Sequence, residues 1–310
     1  MKIVFMGTPD FSAGILKALI SAGHRIVLVV TQPDKPKGRG GKVSLSPVKE
    51  CALAYGLEVF QPEKIKNEEG IKKLSSCGAD IFVVAAFGQI LSKEILDMPK
   101  FGCVNVHASL LPEYRGASPI QQAILDGRTV TGVTIMQMDE GVDTGDILMK
   151  KEIPIDEKET GGSLFDKLSD AGSKLIVEAL DALEAGKIIP EKQNESASSH
   201  VKQIKKRMGR IDFSKDAAEL ERMIRAFDPW PGAYTFFNSK SIRFWSADVE
   251  EYNGGAKPGQ IYDVTKDAVY VSCGRNALKI TALQMEGKKR MGTKEFLLGF
   301  SFNRGDVFGE

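Results

Sequence analysis

Short apolar runs alternate with amphipathic stretches over the first half of the chain. Lys2–Met6 is an apolar run followed by a Gly-Thr-Pro-Asp turn, and then by an amphipathic stretch, Phe11–Ala22, that ends at Gly23. Pro9 and Asp10 suit the first turn of a helix, and Gly23 suits its end. Further strands are predicted at Ile26–Thr31, Glu58–Phe60, Ile81–Ala86 and Cys103–His107, with helices at Pro47–Tyr55, Glu68–Ser76 and Ser118–Leu125. Apolar strands with little alternation, separated by helices, belong in a parallel sheet covered on both faces. The first part is therefore predicted to be a doubly wound, mostly parallel, Rossmann-like α/β domain. Ligands of such sheets bind at the carboxyl ends of the strands, near the switch in strand order.

Two later strands, Thr131–Met138 and Asp146–Ile155, flank a turn at residues 139–145, and a long helix from about Ser163 to Ala185 closes the domain. Lys187–Ser199 is polar and without periodicity, the pattern of a linker. Beyond it, a helix at Ala217–Phe227 stops at Asp228-Pro229-Trp230-Pro231-Gly232. Short strand-like runs follow at Tyr234–Phe237, Ile242–Trp245, Gln260–Val264, Ala268–Ser272 and Leu278–Leu283. Strands this short and this closely spaced predict a small all-β barrel of the oligonucleotide-binding (OB) type. The expected boundaries are 1–188 for the α/β domain, 189–206 for the linker and 207–310 for the OB-like domain.

Composition agrees with an ordinary globular protein: 42% of the 310 residues are hydrophobic and 27% are charged. The longest uninterrupted apolar stretch, Ile81–Phe87, is too short to span a bilayer, so no membrane partner is expected. Cys51, Cys77, Cys103 and Cys273 are scattered, without a CxxC pair or nearby histidines. Neither a metal site nor a disulfide framework is expected, and the chain reads as cytoplasmic; separately, a monomer is expected. The net charge of +1 hides an asymmetry. Residues 1–199 carry 23 Lys+Arg against 27 Asp+Glu, and residues 200–310 carry 19 against 14. A basic second part hints at a polyanionic partner, although a difference of this size also suits a solvated surface.

Three histidines narrow the search for chemistry. His24 opens a strand and His200 sits in the linker, and neither has polar company in sequence. His107 ends the strand Val104-Asn105-Val106-His107, where period-2 alternation points Asn105 and His107 to one face. Such a polar pair on an apolar strand is either a satisfied edge pair or a catalytic one. The following residues, 108–116, form a loop at the ligand-binding end of the sheet, which favours catalysis. Asp143, in a Gly-flanked turn, can reach the same place or be an ordinary turn aspartate. Gly7-Thr8-Pro9-Asp10 after the first strand lacks the GxGxxG fingerprint of a dinucleotide-binding dehydrogenase.

Asn105-Val106-His107-Ala108-Ser109-Leu110-Leu111-Pro112, with Arg115-Gly116 and Asp143-Thr144-Gly145-Asp146 downstream, resembles the signature of the folate-dependent formyltransferases. Met6–Phe11, the segments 31–34 and 38–40, Arg225–Gly232 and the tail 283–291 resemble the branch that acts on initiator methionyl-tRNA. Met208–Phe213 departs from that branch, which more often has an acidic-Gly pair and a Trp after the aspartate.

The resemblance implies 10-formyltetrahydrofolate as co-substrate, no metal in the site, and Asn105, His107 and Asp143 as the catalytic group. Ser109, Leu110, Leu111 and Pro112, with Gln89, Ile90 and Leu91, would line the folate pocket. Lys35, Lys37, Arg39 and Lys42 in a Gly- and Pro-rich loop, and Lys205, Lys206 and Arg207 further on, would contact tRNA phosphates. A rival is a formyltransferase for a small amine, such as glycinamide ribonucleotide or an amino sugar nucleotide, which would not need the basic loop or the C-terminal domain. A second rival, a nucleic-acid-binding module with an inactive α/β domain, has no reason to keep Asn105 and His107 beside residues 109–112.

Overall fold

A computed structural model describes residues 1–37 and 42–309. The chain divides into two compact units, Met1–Pro119 with Val130–Pro154 and Phe165–Val201, and Ile120–Thr129 with Ile155–Leu164 and Lys202–Glu310. Among the described residues, no helix is long and apolar enough to cross a membrane.

The strands of the first unit are β1 (Lys2–Gly7), β2 (Arg25–Val30), β3 (Lys35–Lys37), β4 (Lys42–Ser44), β5 (Val59–Phe60), β6 (Ile81–Ala85), β7 (Cys103–His107), β8 (Arg115–Gly116), β9 (Val130–Gln137), β10 (Ile147–Pro154) and β11 (His200–Val201). The helices up to residue 184 are α1 (Asp10–Ser21), α2 (Pro47–Ala54), α3 (Glu68–Ser76), α4 (Lys93–Leu96), α5 (Pro119–Leu125) and α6 (Gly161–Glu184). Seven strands make one sheet in the order β10-β9-β7-β6-β1-β2-β5. β1, β2, β5, β6 and β7 run parallel, and β9 pairs antiparallel with both β7 and β10. The chain builds outward from β1 through β2 to β5, then returns to add β6 and β7 on the other side. The switch point therefore lies between β1 and β6, and their carboxyl ends and that of β7 open on the same edge.

Local chemistry sets the helix starts. Ser46 caps α2 by accepting from Lys49 N at 3.1 Å with Pro47 in the first turn, and Asn67 caps α3 by accepting from Gly70 N at 2.8 Å. The strands carry the core. Val4, Met6, Leu28, Val30, Phe82, Val84 and Cys103 pack with Ile65, Leu74 and Leu91 into one cluster. Each such fully buried side chain contributes about 1.5–3 kcal/mol from leaving water. Burial also pushes the Cys103 thiol up to about 12, so it behaves as a small hydrophobe.

The second unit has α7 (Ala217–Ala226), β12 (Ala233–Phe237), β13 (Lys240–Glu250), β14 (Ile261–Val264), β15 (Val269–Ser272), β16 (Ala277–Met285), β17 (Met291–Gly292) and α8 (Thr293–Leu297). All of its strand pairs are antiparallel, in the order β12-β13-β16-β15-β14 with β17 added to β16. The pairing of the 11-residue β13 with β16 shifts register twice, between Phe244 and Ser246 and between Ser246 and Ala247. An aromatic core fills it: Phe213, Phe237, Phe244, Phe302 and Phe308 are all buried, with ring centroids 5.0–6.4 Å apart in contacting pairs. The departure at Met208–Phe213 thus ends in a phenylalanine that packs inward.

Three differences from the sequence reading have physical causes. The basic loop contains a hairpin: Lys35–Lys37 pairs with Lys42–Ser44 in antiparallel register. The stretch read as a linker is hydrogen-bonded into the first unit as far as Val201. Glu191 bridges Ile147, and His200–Val201 pairs with Arg115–Gly116. Its polarity reflects edge hydrogen bonding and not freedom. Finally, residues 120–129 and 155–164 fall in the second unit. There α7 bonds to them, with Arg222 Nε donating to Leu125 O at 2.9 Å and Arg225 Nη1 to Glu159 O at 2.9 Å.

Candidate active site

β7 delivers Asn105 and His107 to the carboxyl edge of the sheet. Its neighbours fix their register: Asn105 lies beside Val84 of β6 and Met136 of β9, and His107 beside Thr134. Asn105 keeps partial exposure, whereas His107 is 6% exposed.

Asp143 comes from the turn between β9 and β10, and it meets the other two. Its Oδ2 lies 3.7 Å from His107 Nδ1, and its Oδ1 lies 3.4 Å from Asn105 Nδ2. The same Oδ2 accepts the Gly116 N–H at 2.8 Å. Asp143 adopts φ 55°, a left-handed conformation that aspartate tolerates better than most residues. Gly145 two residues later allows the turn to close, because a Cβ there would lie 1.7 Å from Gln137 O.

His107 Nε2 lies 3.0 Å from Tyr114 O. A carbonyl only accepts, so Nε2 carries the hydrogen and Nδ1, which faces Asp143, is the nitrogen left to gain or lose a proton. At 3.7 Å the imidazole and carboxylate are beyond direct hydrogen-bond length, and the Asn105 contact is long as well. Neither the Asn105 amide nor His107 Nδ1 is clamped by the Asp143 carboxylate at these distances.

Of the residues expected to line a folate pocket, Ile90, 74% exposed, and the half-buried Leu110 and Pro112 present side-chain surface. Ser109, Leu111 and Leu91 turn inward. Ser109 Oγ donates to Glu113 O at 2.6 Å, Leu111 packs with Met136 and Ile147, and Leu91 belongs to the core beneath β1 and β6. The Gln89 amide is engaged with the 62–65 segment, accepting from Ile65 N at 2.7 Å and donating to Pro62 O at 3.0 Å. These four shape the edge with side chains turned into the protein.

Several supporting residues were not legible in sequence. Thr134 Oγ1 accepts from Leu111 N at 3.1 Å and donates to Ser109 O at 2.7 Å, which fixes the loop after β7. Arg115, 1% exposed, forms a fork on the Glu195 carboxylate, Nη1 to Oε2 at 3.0 Å and Nη2 to Oε1 at 2.7 Å. It also donates to Gln193 Oε1 from Nε at 3.0 Å and from Nη2 at 2.8 Å. The Arg115 hydrogen bond holds the Glu195 carboxyl below the usual value. The only advance signal was Arg115 itself, a charged residue inside the loop after β7.

Of the residues expected to meet RNA, Arg39 lies outside the described residues, and the backbone of Lys35, Lys37 and Lys42 forms the β3–β4 hairpin. Lys205, Lys206 and Arg207 are exposed at a short 3-10 turn, Lys206–Gly209. Among the described residues, no group of three or more His, Cys, Asp or Glu is placed to hold a metal ion.

A family model described as formyl transferase matches residues 1–180, and one described as formyl transferase, C-terminal domain, matches residues 203–301. Relatives named methionyl-tRNA formyltransferase include one from Lachnospira eligens, 52% identical over all of both chains. Another, from Agathobacter rectalis, is 53% identical over 99% of each. Among solved structures, WlaRD, a sugar 3N-formyl transferase crystallised with dTDP and 5-N-formyl-THF, has a TM-score of 0.65 at 22% identity, covering 93% of this chain and 99% of its own. HypX from Aquifex aeolicus in complex with tetrahydrofolic acid has a TM-score of 0.64 at 18% identity; this chain spans 51% of HypX and is covered in full. These two share the fold. Matched by both family models and by full-length relatives above 50% identity, the chain belongs to the formyl transferase family.

Proposed function

We propose that this protein transfers the formyl group of 10-formyltetrahydrofolate to the α-amino group of the methionyl moiety of initiator methionyl-tRNA, acting as a cytoplasmic monomer. The observation that carries the reading is the meeting of Asn105, His107 and Asp143 at the carboxyl edge of β7. The full-length relatives bearing the methionyl-tRNA formyltransferase name support this acceptor over a small amine.

The co-substrate supplies an activated formyl group. The edge between β1, β6 and β7 suits its flat ring system: Ile90 and Leu110 offer apolar surface, and the loop backbones offer donors and acceptors to a polar rim. Asn105 Nδ2 and protonated His107 Nδ1 are the donors for the oxyanion that develops as the neutral amine attacks the formyl carbon. Each such donor contributes about 10²–10³ in rate. Collapse of the tetrahedral species breaks the bond from that carbon to the folate nitrogen; the amine loses a proton, the folate nitrogen gains one, and tetrahydrofolate leaves. Asp143, facing both donors, orients the imidazole. Tyr114 O restricts the hydrogen on Nε2, which leaves Nδ1 as the working nitrogen.

On the RNA side, Lys202, Lys205, Lys206, Arg207 and Arg210 stand exposed within nine residues of chain, suited to neutralising phosphates. The second unit would serve as the tRNA-binding domain, with the β3–β4 hairpin and Arg39 reaching the acceptor end.

The test offers the purified protein labelled formyl-folate together with charged initiator tRNA, glycinamide ribonucleotide or an amino sugar nucleotide. Label is expected on the charged tRNA. Transfer only to a small amine would replace this reading, and transfer to none would remove it.

A further inference from the structure

We infer that Gln193 is a positioning residue for Asp143, and that the segment from Gln193 to Val201 is a strap that sets the geometry of the catalytic cluster from behind. The inference rests on the formyl-transfer reading for its kinetic consequence.

Gln193 Nε2 donates to two main-chain oxygens of the Asp143 turn, Asp143 O at 2.9 Å and Gly145 O at 2.7 Å. Its Oε1 accepts from Arg115 Nε and Nη2 at 3.0 and 2.8 Å. The amide therefore cannot flip: the end facing the turn must donate and the end facing the guanidinium must accept. Arg115 is itself buried and clamped on Glu195. One side chain thus ties the peptide that carries the Asp143 carboxylate to a fixed cation.

The rest of the strap acts on the other partners. Ser199 O accepts from Arg115 N and Ser199 Oγ from Tyr114 N, both at 2.8 Å. Val201 O accepts from Ala117 N at 3.2 Å, and Ser199 N donates to Pro112 O at 3.3 Å. These bonds hold residues 112–117, which present Tyr114 O to His107 Nε2 and Gly116 N to Asp143 Oδ2. At Gly116 the two segments approach so closely that a Cβ would lie 2.4 Å from Val201 O. Glu191, paired with Ile147 of β10, anchors the start of the strap. His107 and Asp143 thus each have an orienting partner that the strap holds in place. Because their mutual contacts are long, their placement depends on this support.

A displacement of the order of 1 Å in a catalytic group can cost about 100-fold in rate. Gln193→Leu is expected to lower kcat for formyl transfer to charged initiator tRNA about 10- to 100-fold, with KM for both substrates within about twofold of wild type. In a double-mutant cycle, Gln193→Leu added to Asp143→Ala is expected to cause no further loss, since its effect passes through the carboxylate. A kcat within twofold of wild type, or an equal loss in the Asp143→Ala background, overturns the inference. If the leucine variant does not fold, Gln193→Met, which keeps the chain length, takes its place in the same cycle.

A second readout needs no turnover. The ¹⁵N resonance of His107 Nδ1 in labelled protein is expected to shift in the Gln193 variant, and an unchanged resonance overturns the inference. Wild-type protein inert towards every acceptor would remove the formyl-transfer reading, while the His107 resonance still decides the strap.

Discussion

Asp143 holds the backbone N–H of Gly116 at 2.8 Å while standing 3.7 Å from His107 Nδ1. The carboxylate is thus anchored through one oxygen by a main-chain donor, and it faces the imidazole without clamping it. A tight His107–Asp143 pair would hold the imidazolium against the carboxylate; the longer spacing leaves Nδ1 able to reach a substrate oxygen.

His107→Ala and Asn105→Ala are each expected to lower kcat by about 10²–10³, the usual loss for an oxyanion donor. Folded variants with kcat near wild type in single-turnover assays would remove those side chains from the chemistry.

Gly145→Ala probes the turn itself. The added Cβ has no space beside Gln137 O, so the Asp143 turn must shift. Activity is expected to fall at least tenfold, a loss consistent with displacement of Asp143. The variant is expected to stay folded, because residues 139–142 of the turn are exposed and can shift. Full activity at wild-type Tm would contradict this.

Glu195 gives a pH signature. Arg115 holds its carboxyl below the ordinary value of 4.5, so the folded state prefers the charged form more than the unfolded chain does. Its stabilisation is therefore present above pH 4.5 and lost as pH falls through the folded value. Wild type and Glu195→Gln should differ slightly in Tm at pH 7 and converge on acidification below 4.5, as followed by circular dichroism. A difference that persists or grows in acid would contradict the pairing. The effect is small because the Glu195 side chain is 71% exposed and screened by solvent.

Phe244 is fully buried, with Phe213 and Phe308 edge-on to it at 6.4 and 5.3 Å. Phe244→Ala is expected to destabilise the second unit by about 3–5 kcal/mol, measured by urea unfolding. A loss under 1 kcal/mol would mean that the aromatic cluster repacks around the cavity.

The sequence by itself determined the parallel sheet and the all-β second part, and it pointed to Asn105, His107 and Asp143 as the candidate trio. Apolar strands such as Ile81–Ala85 can be buried on both faces only when helices cover them, and period-2 alternation already aligns Asn105 with His107. Only the tertiary structure decided what holds that trio. The strap at 193–201 is polar and aperiodic, so in sequence it looks like a free linker. Its backbone is satisfied by partners some 80 residues away, Pro112, Arg115 and Ala117. The inward turn of Ser109, Leu111 and Leu91 was likewise beyond local pattern. An apolar or hydroxyl side chain in a loop can pack below or face a ligand, and the choice depends on Thr134 and the core rather than on neighbours in sequence.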